Sequence, residues 1–199
     1  TQINDSQNID LPTQDTTHLD SIDKSIESSS ATIPSQLNVV GDISLSIPAL
    51  IDWQNALTSS QKSFVDFLNS DQYLLTLSEI CKSQDLDLNV FNESAESLRQ
   101  SMLSMGLNAQ IELRGSTELK GYLAAYHFDE ETRQDRIYIN RDWIEFGAGQ
   151  VMINRAILEE MGHALDYHLN STIDSLGDEG EYFSRILTND FLSADEINR

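Results

Sequence analysis

The sequence predicts an α+β domain, and three features point to that class. Apolar residues recur at helical steps through 48–81 and 94–105, apolar and polar residues alternate in short runs between 109 and 140, and a long amphipathic segment follows at 150–170. The expected architecture is a small sheet packed on the 150–170 helix and preceded by a helical subdomain. Residues 47–105 supply the helical part of this 47–199 domain, and residues 106–199 supply the sheet and the later helices. At 199 residues with 39% hydrophobic content, the chain can hold one core of ordinary domain size beside an unstructured arm.

The arm is expected over residues 1–46, which are rich in Ser, Thr, Asp, Asn and Gln and show no sustained apolar period. Such a segment buries too little apolar surface to offset its ordering entropy. Within it, the apolar residues of Leu37–Val40 and Ile43–Ile47 could add an edge strand. Pro48 then suits a first helical turn, with Leu50, Ile51, Trp53, Ala56 and Leu57 following at helical spacing. Ser59 or Ser60 is positioned to cap a second helix carrying Phe64, Val65, Phe67 and Leu68, and Asp71 a third through Tyr73, Leu77 and Ile80. Leu86–Val90 alternates like a short strand; its acidic residues also suggest a calcium loop, but the glycine and closing Glu of an EF-hand are missing. Ser94 is read as the cap of a helix through Met102 that Gly106 stops.

Strands follow at Ala109–Leu113, Gly121–Phe128 and Arg136–Asn140, the last two joined as a hairpin by the polar turn 129–135. The strand from Gly121 to Tyr126 is the candidate edge for pairing with extended substrate. A helix over 150–170 comes next, then a loop, a helix from Asp178 to Leu187, and one more turn that Ser193 could cap.

The formal net charge of −21 argues against nucleic-acid binding and against docking on anionic membrane. No stretch is long enough to span a membrane, and no signal peptide opens the chain. It begins at Thr1 without Met, so a processed product or part of a longer protein is expected. Cys81 stands alone, which leaves no disulfide framework and no Cys-based zinc site.

The chemistry gathers at 158–168. On a helix at about 100° per residue, Glu159, His163 and Asp166 share a narrow arc that Glu160 and Tyr167 flank, while Ile157, Met161, Ala164 and Leu165 face the other way. The plain reading is a solvated acidic face. Against it, Glu159, Glu160 and Asp166 repel one another with no Lys or Arg among them, and anions are disfavoured toward a helix C-terminus. A bound cation would turn that cost into a gain.

The run Glu159-Glu160-Met161-Gly162-His163-Ala164-Leu165-Asp166 resembles the zincin metallopeptidase signature His-Glu-x-x-His in its extended form His-Glu-x-Gly-His-Ala-x-Asp, with Glu159 in place of the first His. The resemblance implies a zinc peptidase domain: Glu159 and His163 as metal ligands, Glu160 as general base, and Asp166 as a carboxylate orienting a ligand. A carboxylate at the first position adds negative charge and weakens the metal as a Lewis acid. Downstream, Asp178-Glu179-Gly180-Glu181-Tyr182-Phe183 resembles the Asn-Glu-x-Glu-Phe-Phe run of lethal-factor-like zincins, which implies Glu181 as third ligand with Glu179 as competitor. Residues 137–193 also resemble a domain of large, acidic, repeat-rich secreted proteins of cyanobacteria and marine bacteria. There a Glu-Glu-x-Gly-His helix precedes Gly-Asp-Glu-Gly, a pattern that favours Glu179. Both remain candidates. The resemblance further implies a peptide or protein substrate and a secreted or cell-surface setting.

Tyr167 and Tyr182 are candidates to stabilise an oxyanion, beside packing roles. His127 ends a strand near the expected site, and His168 falls on the apolar side of the motif helix as a packed or helix-end histidine. The alternative function is a catalytically inactive zincin-like binding or adhesion module whose carboxylates hold calcium or nothing.

Overall fold

A computed structural model of the chain describes residues 37–81, 86–105, 109–170 and 178–189. The first of these form β1 (Leu37–Val40), so the sheet begins N-terminal to the 46/47 boundary. The apolar run after it, from Ile43 to Ser46, is not a strand. Residues 1–36 of the expected arm, and the turn expected at Ser193, lie outside the described residues.

One helix replaces the first two expected. α1 (Ile47–Leu68) runs unbroken for 22 residues, with Pro48 in its first turn and Ala49, Trp53, Ala56, Ser60, Phe64 and Phe67 forming its buried stripe. Ser60 is no cap. Its Oγ turns back to the Ala56 carbonyl at 2.9 Å and bonds Asn154 Oδ1 at 2.7 Å, a polar pin inside an apolar helix crossing. α2 (Tyr73–Ile80) starts after Gln72 rather than being capped by Asp71, and Tyr73 donates to the Ala95 carbonyl at 2.9 Å.

The strand expected at 86–90 is the start of α3 (Leu88–Met105). Asp87 Oδ1 accepts the amides of Asn89 at 2.9 Å and Val90 at 3.3 Å, so the carboxylate read as a calcium donor serves as the helix cap. Ser94 sits inside the helix with its Oγ on the Val90 carbonyl. The alternation of Leu86, Leu88 and Val90 is not matched by burial, since Leu86 packs partly buried on the core but Leu88 and Val90 are both about half exposed. The buried period is Phe91, Ala95 and Met102.

β2 (Ala109–Arg114), β3 (Ala124–Asp129) and β4 (Gln134–Asn140) complete a sheet in the order β1-β2-β4-β3. β1, β2 and β4 run parallel; β3 is antiparallel to β4 at the far edge. The register stacks Val39, Ile111, Ile137 and Tyr126 across the four strands. Ile111, Ile137 and Ile139 point into the core, while on the opposite face Arg114 lies over the Tyr138 ring and pairs with Glu112 and Glu118.

β3 starts three residues later than expected because Lys120 and Gly121 have φ of 53° and 86° and turn the chain there. Buried Asn140 fixes that turn: it donates to the Tyr122 carbonyl at 3.0 Å, and its Oδ1 accepts from Ser116 Oγ and from the Trp143 amide. The last contact caps α4 (Arg141–Glu145), a short helix the apolar pattern gives no sign of. α5 (Gln150–Asn170) has the expected bounds, and α6 (Glu179–Thr188) follows with Asp178 as its cap.

The mixed α+β architecture with a small sheet is as expected. Trp53, Phe64, Phe91, Ile111, Ile137, Ile153, Leu165 and Phe183 belong to one buried cluster, so the helical part and the sheet share a core. No helix among the described residues is long and apolar enough to cross a membrane.

Candidate metal and catalytic site

α5 carries Glu159 and His163 one turn apart on the face that α6 crosses. The crossing is close because each helix has a glycine at the contact. A Cβ on Gly180 would stand 2.5 Å from both the Glu159 carbonyl oxygen and His163 Nε2; one on Gly162 would stand 2.8 Å from Gly180 Cα. An interior helix glycine costs about 1 kcal/mol against Ala. Here that cost lets the backbone of α6 lie directly on the His163 ring.

Asp178 arrives with that helix start. Its Oδ1 accepts the Glu181 amide at 2.8 Å and lies 3.8 Å from His163 Nε2. One donor atom each from Glu159, His163 and Asp178 lie within 4.8 Å of one another, the one such group among the described residues. Two carboxylates and an imidazole are donors that a divalent metal accepts.

Glu160 lines the same side of the molecule as Glu159, close under the sheet edge. It is only 6% exposed, and the Tyr126 backbone amide on β3 lies against its carboxyl. Burial, then the charges of Glu159 and Asp178, push its carboxyl up to about 8, with the Tyr126 backbone opposing. Burial also raises Glu159, with Asp178 and Glu181 adding to the rise and His163 and Arg155 opposing it. A cavity of about 370 Å³ opens between residues 122–124, Trp143 and the first half of α5, with Arg155, Glu159, Glu160 and Glu181 on its polar side. β3, whose single strand partner among the described residues is β4, borders it.

Neither candidate for the third ligand joins the Glu159–His163–Asp178 group as the side chains stand. Glu179 is buried, and its charge acts on Cys81, whose thiol burial holds well above the usual range. Glu181 pairs with Arg185 at 2.5 Å while lining the cavity. Asp166 accepts from Asn170 at 2.7 Å, and Asn170 also donates to the Cys81 carbonyl. Tyr167 donates to Glu130 at 2.8 Å on the β3–β4 turn and stacks on Phe128. Tyr182 packs half-buried against the core. His168 bonds Asp135, and exposed His127 sits opposite Arg136 in the β3–β4 ladder.

The chain matches no protein-family model, no curated protein and no solved structure. Sequence reasoning missed Asp178, although an Asp before a helix start is a capping signal that places a carboxylate where the helix begins. It also passed over Arg155, which lies one turn before Glu159 and partly offsets its charge. Gly162 and Gly180 were legible as unusual, since a glycine inside a helical pattern usually has a packing reason.

Proposed function

We propose that the chain is a zincin-like, metal-dependent peptidase domain in which Glu159, His163 and Asp178 hold a divalent metal and Glu160 handles the proton. The observation behind this reading is the convergence of those three donors next to a buried Glu that lies beneath an edge strand. The metal, zinc by the resemblance, supplies Lewis acidity toward the peptide carbonyl and the attacking water. Glu160 takes the proton that water loses as its oxygen adds to the carbonyl carbon, and gives it to the amide nitrogen as the C–N bond breaks. β3 offers its outer edge to the extended peptide, whose side chains enter the cavity beside Trp143 and Met152. A secreted or surface setting, with protein substrates or processing of a parent chain, accompanies the resemblance.

The test is hydrolysis of fluorescent casein by the zinc-loaded chain. Cleavage should vanish with chelator, return with zinc, and be absent in Glu160→Gln although that variant retains metal. The oxygen-rich surroundings, with Glu160 and Glu181 beside the three donors, favour a second reading as a non-catalytic calcium-binding or adhesion module. Stabilisation by calcium with no cleavage under any metal would overturn the peptidase reading in its favour.

A further inference from the structure

Asp135 is a carboxylate in the wrong place for a surface charge: it is the second residue of β4, at 5% exposure. Burying it is costly unless its oxygens are fully used. They are used by two other elements. Tyr126 Oη of β3 donates to Oδ1 at 2.7 Å, and His168 Nε2 of α5 lies 3.0 Å from both oxygens. Phe128 packs edge-on to the His168 ring at 5.7 Å, which limits the ring's freedom to leave Asp135. Apolar side chains would join β3, β4 and α5 at lower desolvation cost, so what this network adds is one fixed arrangement of the three.

Tyr126 connects that arrangement to the site. Its phenol is anchored by Asp135, and its backbone amide lies against the Glu160 carboxyl. Among the described residues, strand β3 has no neighbour beyond β4, so no further strand there holds its outer edge at a set depth over α5. The same residue therefore carries the anchor at one end and the contact with the proposed base at the other.

We infer that Asp135 and His168 are positioning residues: through the Tyr126 side chain they hold the β3 edge at the depth where the Tyr126 amide orients the Glu160 carboxylate. The catalytic meaning of this inference rests on the peptidase reading; its structural content does not. A carboxylate that must face both a substrate and an amide donor gains from a donor that does not wander.

Two measurements on the full chain separate the inference from that reading. The first is amide hydrogen exchange by NMR in the wild type, Tyr126→Phe and Asp135→Asn, both close to isosteric. Exchange at the Tyr126 amide should quicken at least tenfold in both variants while Ile137 and Ile139 of β4 stay protected. A general loss of packing would release all three amides together. Unchanged protection at Tyr126 in both variants, or equal loss across β4, would overturn the inference whatever the enzyme assay shows. The second is casein hydrolysis with zinc. In an active chain, Tyr126→Phe should lower kcat about tenfold with KM and zinc affinity within about twofold of wild type; an unchanged kcat would overturn the positioning role. An inactive wild type would sink the peptidase reading alone, and the exchange result would still decide the inference.

Discussion

At the β3–β4 hairpin, Asp135 is buried yet receives a phenol and an imidazole, and Asp129 receives turn amides and the Arg136 guanidinium. The Thr132 backbone and side chain, then Arg136 and the Glu131 amide, hold the Asp129 carboxyl below its ordinary range. In the cleft that α5 forms with α6 and the β3 edge, the charges of Glu159, Glu160 and Asp178 act on one another, with Arg155 and His163 as partial compensation. There the Glu159 and Glu160 carboxyls are pushed up. The residue types match, and the difference lies in the partners. A carboxylate cluster that folding leaves short of positive charge is where an added cation gains most.

The largest way to break this contrast is to push the helices apart. Gly180→Ala places a methyl against the Glu159 carbonyl and the His163 ring, and should cost about 3 kcal/mol in denaturant unfolding as well as metal binding. Asp135→Ala strands Tyr126 and His168 and should cost about 3 kcal/mol, read in the same way. A loss near zero would show that the hairpin carboxylate is no better satisfied than those of the cleft.

The cleft should answer in the opposite sense. A carboxyl raised from 4.5 to about 8 binds its proton more tightly in the folded chain. Its contribution to stability is therefore complete below about pH 4.5 and lost as pH rises through 8. In metal-free protein, Glu160→Gln should be more stable than wild type at pH 8.5, on the order of 2 kcal/mol, with the gap closing near pH 4. The smallest effect belongs to Asp129, where the sign reverses. Asp129→Asn should be slightly less stable at neutral pH, and the difference should fade as acid protonates the wild-type carboxyl; thermal melts at pH 7 and pH 2.5 read it.

How much of this was legible depended on whether a residue's role is local. The bounds of α5 follow from a sustained apolar period, and β2 and β4 from alternation that burial respects at Ile111, Ile137 and Ile139. Leu86–Val90 alternates just as well, but Asp87 caps a helix there and burial falls on Phe91 and Ala95 instead. Ser60 looks like a cap until Asn154 arrives from a distant segment to bond it. Likewise the sequence places Glu159 and His163 on one face, but the third donor depends on where α6 crosses α5. Two glycines determine that crossing and bring Asp178, the cap, ahead of Glu179 and Glu181.

The most direct measurement is the metal content of the chain after zinc loading and exhaustive dialysis, with the wild type beside His163→Ala and Asp178→Ala. About one zinc per wild-type chain, a rise in melting temperature on loading, and loss of both in each variant are expected. Zinc retained at wild-type level in Asp178→Ala, or no metal and no stabilisation in the wild type, would contradict a metal site built from Glu159, His163 and Asp178.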